Sequence, residues 1–219
     1  ERNAAEVTQL RLSAVMPAAL EREEFYVEYQ PLVRLGDSDV VGVEALARWW
    51  HPDLGRIGPD RFISLAEETG LIVPLGRWVL RQACLEAKSW EDRFAESAPF
   101  VSVNLAVRQS RDPNLVADVA AILDETKLDP SKLQLELTES AIMGTADEPL
   151  DALRTLSGMG VRIAIDDFGT GYSNLAYLRH LPVHELKIAG PFMQGLQDAG
   201  GIDPVDERIV GTLVELAHT

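Results

Sequence analysis

The sequence predicts an α/β protein built around a largely parallel sheet. Its first two apolar segments, residues 25–33 and 40–46, flank the turn-rich stretch 36–39, which is typical of an antiparallel hairpin. After this hairpin, short apolar runs alternate with longer segments whose apolar residues recur at helical spacing. A length of 219 residues suffices for one large domain with a sizeable core. Strands that are joined through helices run parallel, so a parallel sheet is expected to follow the hairpin.

The amino-acid composition excludes several classes of protein. Apolar residues make up 46% and charged residues 25% of the chain, as in ordinary soluble proteins. The net charge of −15 argues against binding to a nucleic-acid polymer and against contact of this domain with an anionic membrane. No apolar run approaches the roughly 18 residues of a membrane span, and no secretory signal is present. We therefore expect a cytoplasmic domain, whose parent protein can still be membrane-anchored through other regions.

Cys84 is the only cysteine, which excludes an internal disulfide and a thiolate metal cage. The chain starts at Glu1 and stops at Thr219 inside an apparent helix, so we expect a piece of a longer protein. Residues 1–24 are predicted to be entry helices, interrupted at Pro17, and a linker from an upstream domain. Residues 25–219 are predicted to form the main domain.

The predicted strands are residues 25–33, 40–46, 100–105, 133–137, 161–165 and 184–188. Residues 48–51 are predicted to lie in a loop that runs to Gly58. Helices are predicted from Pro59 to Gly70, after Pro74, at Asp112-Pro113, around 150–156, over 175–181 and over 206–218. An eight-stranded barrel needs about 250 residues, so two strand–helix units would be missing from its carboxyl-terminal end. An open, doubly wound sheet is the alternative architecture.

Each of five successive predicted strands carries one polar residue near its end. These residues are Glu44, Asn104, Glu136, Asp166 and Lys187. Any one of them alone is more often a surface residue. Because active-site groups of barrels come from the carboxyl ends of several strands, five in succession predict a common site.

Two adjacent acids, Asp166 and Asp167, follow the apolar run 161–165 and precede the glycines Gly169 and Gly171. Adjacent residues on a strand point to opposite faces, but a chain that bends at the strand end lets both reach one site. A surface turn rich in aspartate and glycine is the alternative. The full dinucleotide-binding fingerprint is missing.

Converging carboxylates repel by about 3 kcal/mol per pair at about 5 Å with an effective dielectric of about 20. Lys187 and Arg48 offset part of this repulsion, and bound divalent cations are the natural source of the remaining positive charge. The candidate ligands are oxygen donors, which suit Mg²⁺, Mn²⁺ or Ca²⁺ better than Zn²⁺. Two such metals can activate water and neutralise a phosphodiester. Glycosidase chemistry by a carboxylate pair is another use of these acids, although it would not need Asn104 and Lys187.

These residues lie in motifs that resemble the EAL domain family of cyclic di-GMP phosphodiesterases. The name motif stands as Glu44-Ala45-Leu46, and Arg48-Trp49 follow it. Further matches are H-P-D-L-G-R-I-G-P at 51–59, F-I-S-L-A-E-E-T-G-L-I at 62–72, V-N-L at 103–105, E-L-T-E-S at 136–140 and D-D-F-G-T-G-Y at 166–172. The resemblance covers nearly the whole chain from Phe25 onward, and several motifs in the same order make it specific.

The resemblance implies a modified TIM barrel with one antiparallel strand. It implies hydrolysis of cyclic di-GMP to linear pGpG with Mg²⁺ or Mn²⁺, and inhibition by Ca²⁺. It also implies a homodimer, with a sensory or diguanylate cyclase domain upstream in the parent chain.

The resemblance also implies individual roles. One metal would be held by Glu44, Asn104, Glu136 and Asp166, and the second by Asp166 and Asp167. Lys187 would orient the attacking water, so that it acts in catalysis with Glu44 and the two aspartates. Arg48 would contact a phosphate, Leu46 would lie beside the ligand, and Glu139 would steady the loop after Asp167.

Two departures from the family pattern keep a second function open. Ile188-Ala189-Gly190 stands where the family usually has Ile-Asp-Arg, and the sequence ends before the family's last metal-binding glutamate and a substrate-contacting glutamine. The alternatives are a cyclic di-GMP receptor without hydrolysis and a purely structural dimerisation domain. If two barrel strands are indeed lacking, residues 1–219 alone are not expected to form a stable, active monomer.

Overall fold

The computed structural model describes residues 2–143, 147–169, 181–194 and 203–218. Its strands are β1 Phe25–Val33, β2 Val40–His51, β3 Gly55–Ile57, β4 Phe100–Asn104, β5 Leu133–Thr138, β6 Arg162–Phe168 and β7 Glu185–Ile188. Its helices are α1 Arg2–Glu21, α2 Pro59–Thr69, α3 Ile72–Phe94, α4 Val107–Ser110, α5 Leu115–Thr126, α6 Glu139–Met143, α7 Asp147–Gly158, α8 Gly190–Gln194 and α9 Pro204–Ala217. The helix predicted over 175–181 lies almost wholly outside the described residues.

The strands form one sheet in the order β1-β2-β4-β5-β6-β7, with the short β3 on β2. β1 is antiparallel to β2, and every pair from β2–β4 to β6–β7 is parallel. The predicted hairpin and parallel sheet are therefore confirmed. A doubly wound sheet reverses its strand order at a switch point. This sheet does not reverse, so it is singly wound, as the strands of a (β/α)-barrel are.

The predicted loop from residue 48 to Gly58 is wrong, and the sheet contains a seventh strand. β2 continues to His51 because β1 pairs along its whole length, beginning with Phe25 opposite Trp49. The chain then turns back, and β3 pairs with the end of β2, so that Ile57 lies opposite Trp49. The pattern of a strand was hidden by consecutive bulky residues, Arg48 to His51, which do not alternate between apolar and polar.

Trp49 anchors this end of the hairpin. Its side chain is fully buried, its ring stacks on Phe25 with centroids 5.1 Å apart, and its Nε1 donates to Glu24 at 3.0 Å. Trp50, the next residue, is 57% exposed.

We expect Trp49→Ala to lower the free energy of unfolding by about 3–5 kcal/mol, because it empties a fully packed aromatic site. The matched control is Trp50→Ala, which should change that free energy by less than about 0.5 kcal/mol. Urea denaturation monitored by circular dichroism measures both. Equal losses in the two variants would contradict this account of the hairpin.

The two faces of the sheet differ in polarity. One face carries apolar side chains that are buried against the helices, Val101, Val103, Leu135, Ile163 and Ile165 among them. Neighbouring positions in the sequence point to the other face, as in any strand. This other face carries Glu44, Ser102, Asn104, Gln134, Glu136, Asp166 and Lys187.

The amino-terminal segment forms one helix, not two. The predicted break at Pro17 does not occur, because α1 runs continuously from Arg2 to Glu21 with Pro17 inside it. A proline inside a helix removes one backbone hydrogen bond. Leu12 and Met16 before it and Ala19 after it are all buried in the core, and this packing holds the helix together across the proline.

Candidate active site

The register of the parallel strands brings the predicted residues to one end of the polar face. Glu44 lies beside Ser102, whereas Asn104, two residues further along the same strand, lies beside Glu136. Asp166 in turn lies beside Thr138, two residues beyond Glu136. Site residues on neighbouring strands are therefore staggered, as strands are when a sheet closes towards a barrel.

Lys187 lies at the centre of the cluster. Its Nζ donates to Oε2 of Glu44 at 3.1 Å and to Oε2 of Glu136 at 2.6 Å. Asn104 Nδ2 donates to the other oxygen of Glu44 at 2.8 Å. Side-chain exposure is 19% for Lys187, 17% for Glu44 and zero for Glu136. The structure thus brings four of the predicted residues into one hydrogen-bonded group.

Burial and charge work against each other in this group. Burial raises the pKa of the Glu136 carboxyl, although hydrogen bonds from Lys187 and Ser102 oppose the rise. Burial also disfavours the charged form of Lys187, but Glu136, Glu44 and Asp166 outweigh it and raise the pKa of the ammonium group. Lys187 therefore stays positively charged at neutral pH and compensates the carboxylates around it.

Asp166 and Asp167 reach the site in a different way from the predicted one. The strand was expected to end in the two acids, but β6 continues past them to Phe168. Ile165 pairs with Leu186 and Phe168 with Ile188, so the two aspartates lie opposite the single residue Lys187. This is a bulge, which re-aims side chains without ending the strand.

The bulge has a distinct local structure. Asp167 has a φ of 53°, a left-handed conformation that aspartate tolerates better than most residues. Its backbone N–H donates to Asp166 Oδ1 at 2.9 Å. Asp166 is partly buried and Asp167 is exposed. The structure therefore keeps Asp166 near Lys187 and leaves Asp167 at the surface beside it.

Glu139 lies beneath the turn that follows the bulge. Its side chain is buried and accepts a hydrogen bond from the Gly169 backbone N–H at 3.0 Å. Gly169 has a φ of +97°, and a Cβ there would lie 2.9 Å from the Phe192 ring. The contact is the one that a loop-supporting role for Glu139 requires.

A cavity of about 480 Å³ opens beside the cluster. It lies between the carboxyl ends of β2, β4 and β5 and helices α2 and α3, and Leu46, Arg48, Asn104 and Glu136 line it. Most of its remaining wall is apolar, formed by residues such as Phe62, Leu75 and Val107. An apolar cavity with a few convergent polar groups is the usual form of a small-molecule site.

Arg48 points its guanidinium at an acidic partner. Nε of Arg48 donates to Glu28 Oε2 at 2.6 Å, and Arg56 donates to the same oxygen at 3.2 Å. The hydrogen bond and charge of Arg48, with those of Arg56, hold the pKa of Glu28 below its ordinary value. Arg48 is thus a cation at the cavity wall. It is paired with Glu28, so an anionic ligand would have to compete with this carboxylate for the guanidinium.

Sequence reasoning missed three polar residues of this region. Glu28 on β1 holds Arg48, and Ser102 and Gln134 are fully buried on the polar face directly beside the cluster. The signal was present in the strand pattern. Ser102 and Gln134 each stand two residues before a predicted site residue, Asn104 and Glu136, and so share its face.

The donor set fits Mg²⁺ or Mn²⁺ in its chemistry. Glu44, Asn104, Glu136 and Asp166 offer oxygen ligands from successive parallel strands, and a cationic group, Lys187, already lies between two of the carboxylates. Within the described parts of the chain, no three acidic, histidine or cysteine side chains form a ready-made metal cluster.

The model of the EAL domain family matches residues 14–219. The chain belongs to the EAL domain family, as its motifs indicated.

Several relatives show how far the similarity extends. MucR of Pseudomonas aeruginosa, a bifunctional diguanylate cyclase/cyclic di-GMP phosphodiesterase, is 45% identical over 217 residues, which are 99% of this chain and 31% of MucR. An uncharacterised protein of Mycobacterium tuberculosis is 44% identical over 209 residues, 95% of this chain and 68% of its own length. The solved structure of the PaMucR phosphodiesterase in complex with cyclic di-GMP aligns with a TM-score of 0.88 at 44% identity, covering 95% of this chain and 82% of that one.

None of the helices in the described residues is both long and apolar enough to span a membrane.

Proposed function

We propose that this protein hydrolyses cyclic di-GMP to linear pGpG with Mg²⁺ or Mn²⁺, and that Ca²⁺ inhibits it. The observation that supports this most is the hydrogen-bonded group of Lys187, Glu44, Glu136 and Asn104 at the mouth of a cavity whose wall carries Arg48. The names of the relatives support the same substrate. In the parent protein, residues 1–24 would link this domain to a sensory or cyclase domain, and the domain would work as a homodimer.

The candidate site residues have separate proposed roles in metal binding, orientation of the water and binding of the nucleotide. Glu44, Asn104, Glu136 and Asp166 would hold one metal ion, and Asp166 and Asp167 a second. These ions would supply an activated water and neutralise the phosphate. Lys187, held in place by two carboxylates, orients the attacking water towards phosphorus. Arg48 binds a phosphate oxygen, and Leu46 packs against the ligand.

The test is incubation of the purified parent protein with cyclic di-GMP and Mg²⁺, Mn²⁺ or Ca²⁺, with the products separated by chromatography. We expect linear pGpG with Mg²⁺ or Mn²⁺ and little product when Ca²⁺ is present. Absence of any product with every metal would overturn the proposal.

We expect Arg48→Ala to weaken the binding of cyclic di-GMP about tenfold, because it removes a charged hydrogen-bond donor from the cavity wall. Arg56→Ala is the matched control. Arg56 contacts the same oxygen of Glu28 but is exposed and does not line the cavity, so its loss should change the affinity less than about twofold. Calorimetric titration with cyclic di-GMP measures both. Similar losses in the two variants would show that Arg48 acts only through Glu28.

A second candidate function is a receptor that binds cyclic di-GMP without cleaving it. Ala189 favours it, because this buried residue stands where the family usually has an acid, directly after the strand that carries Lys187. Calorimetric binding without product after long incubation with Mg²⁺ or Mn²⁺ would select the receptor.

A further inference from the structure

A layer of buried polar side chains lies directly behind Glu136. Ser102 and Gln134 are both fully buried, and Glu136 is 1% exposed. Ser102 Oγ donates to Glu136 Oε1 at 2.5 Å, and Gln134 Nε2 donates to Ser102 Oγ at 3.2 Å. We propose that Ser102 and Gln134 are positioning residues that fix the orientation of the Glu136 carboxylate; this inference rests on the proposed function of the site.

The direction of each hydrogen bond follows from Arg162, which contacts Gln134 on the side away from Ser102. Arg162 has only donors, and its Nε lies 3.0 Å from Gln134 Oε1, so this atom must be the amide oxygen. Stacking on the Phe100 ring, 4.6 Å from the guanidinium carbon, holds Arg162 in place. The orientation of the Gln134 amide is therefore determined.

With its oxygen fixed, the Gln134 amide must present its NH₂ group to the other side. There it donates to Ser102 Oγ and to Glu185 Oε2, the latter at 3.3 Å. Ser102 thus already accepts a hydrogen bond from Gln134, and its hydroxyl proton is directed to Oε1 of Glu136. A serine without this neighbour could rotate its proton to other acceptors.

The two oxygens of Glu136 consequently have separate tasks. Oε1 is occupied by Ser102 on the buried side, and Oε2 faces Lys187. Oε2 is the oxygen that faces Lys187 and the open side of the site, so we expect Glu136 to bind a metal ion through it. Groups that orient a metal ligand in this way commonly change metal affinity or activity 10–100-fold, roughly, when they are removed.

A purely structural role would not need these residue types. Ala164 faces the same side of the sheet next to Glu136 and is fully buried without any polar group. Burying Ser102 and Gln134 costs desolvation, which only a complete set of hydrogen bonds offsets. That set is complete here, since no buried side-chain nitrogen or oxygen of the described residues lacks a partner.

The test compares Ser102→Ala and the nearly isosteric Ser102→Cys with Thr126→Ala. The cysteine fills the site but is a poor donor. Thr126 is another buried hydroxyl, but it donates to the carbonyl of Ile122 within its own helix, away from the site. We expect both Ser102 variants to lose about tenfold in kcat and in Mn²⁺ affinity measured calorimetrically, with KM changed less than about twofold. The Thr126 variant should lose stability only.

A double-mutant cycle separates positioning from packing. Gln134→Met alone should lower kcat by about the same factor, because the Ser102 proton is no longer directed. In the Ser102→Ala background it should lower kcat no further. Additive losses in the cycle, or Ser102→Cys with wild-type kcat and Mn²⁺ affinity, would overturn the inference.

The positioning role can be tested separately from the proposed hydrolysis. If the wild-type protein turns over no cyclic di-GMP, Mn²⁺ affinity still compares the variants. If it binds no Mn²⁺ either, crystal structures of the wild type and Ser102→Ala decide. We expect the Glu136 carboxylate to rotate away from its contact with Lys187 in the variant, and an unchanged carboxylate would overturn the inference.

Discussion

Replacement of Lys187 by methionine is expected to reduce cyclic di-GMP turnover by at least about 10³-fold and to lower the free energy of unfolding by about 3 kcal/mol. The methionine keeps the volume of the side chain but removes the charge that faces Glu44 and Glu136. Glu136 is fully buried, so the loss leaves an uncompensated carboxylate in the sheet. Steady-state kinetics and urea denaturation measure the two effects.

The stability loss in Lys187→Met should depend on pH. Burial raises the pKa of Glu136, and removal of Lys187 takes away a group that opposes the rise. A carboxyl whose pKa is raised in the folded protein stabilises it below the unfolded pKa, and that stability is lost as pH rises through the folded pKa. The difference from wild type should therefore shrink as the pH falls from neutral, because protonation of Glu136 removes the uncompensated charge.

Lys88→Met is the control for this prediction. Lys88 also bridges two carboxylates, Glu91 and Asp92, but on the outer surface of helix α3, where such pairs contribute little. It should change stability by less than about 1 kcal/mol at any of these pH values and leave turnover unchanged. A Lys187 variant that behaves like the Lys88 variant would contradict the assignment of a compensating charge.

The second large effect is expected from Glu44→Ala, which should abolish hydrolysis while the free energy of unfolding changes by less than about 1 kcal/mol. The side chain is a candidate metal ligand and not part of the apolar core. Its removal leaves Lys187 paired with Glu136, so no buried charge is orphaned. Product analysis and thermal unfolding of the purified variant measure both quantities.

Glu125→Ala serves as the matched control, because Glu125 pairs with Arg81 on the exposed surface of helix α5 and is not part of the hydrogen-bonded group. It should hydrolyse cyclic di-GMP at the wild-type rate. Wild-type turnover by the Glu44 variant would remove Glu44 from the chemistry, whereas an unfolded Glu44 variant would show that its role in folding has been underestimated.

The sequence predicts the parallel sheet and the position of the site because both depend on local patterns. Glu136 interrupts an apolar strand, and a charge in such a place points to a shared site at the strand ends. The bulge at Asp166 and Asp167 could not be predicted, since it depends on the register with β7, which is set only in the folded sheet. The extension of β2 to His51 depends in the same way on pairing with β1.

The buried polar layer shows another limit. The spacing of Ser102 and Gln134 places them on the face of Asn104 and Glu136, but only the paired strands show the hydrogen bonds that connect them to Glu136. Pairwise hydrogen bonds between strands are set by tertiary structure, which local propensity does not encode.

Lys187 lies on β7, a strand of four residues that pairs with β6 alone among the strands described. A short strand with one partner is a part of the fold that can open locally without global unfolding. Each such opening would withdraw Lys187 from Glu44 and Glu136, residues that come from strands far earlier in the chain. The fraction of molecules in which Lys187 contacts both carboxylates is then set by the equilibrium between the open and the paired forms of β7. Hydrogen exchange at the β7 amides would report that equilibrium directly.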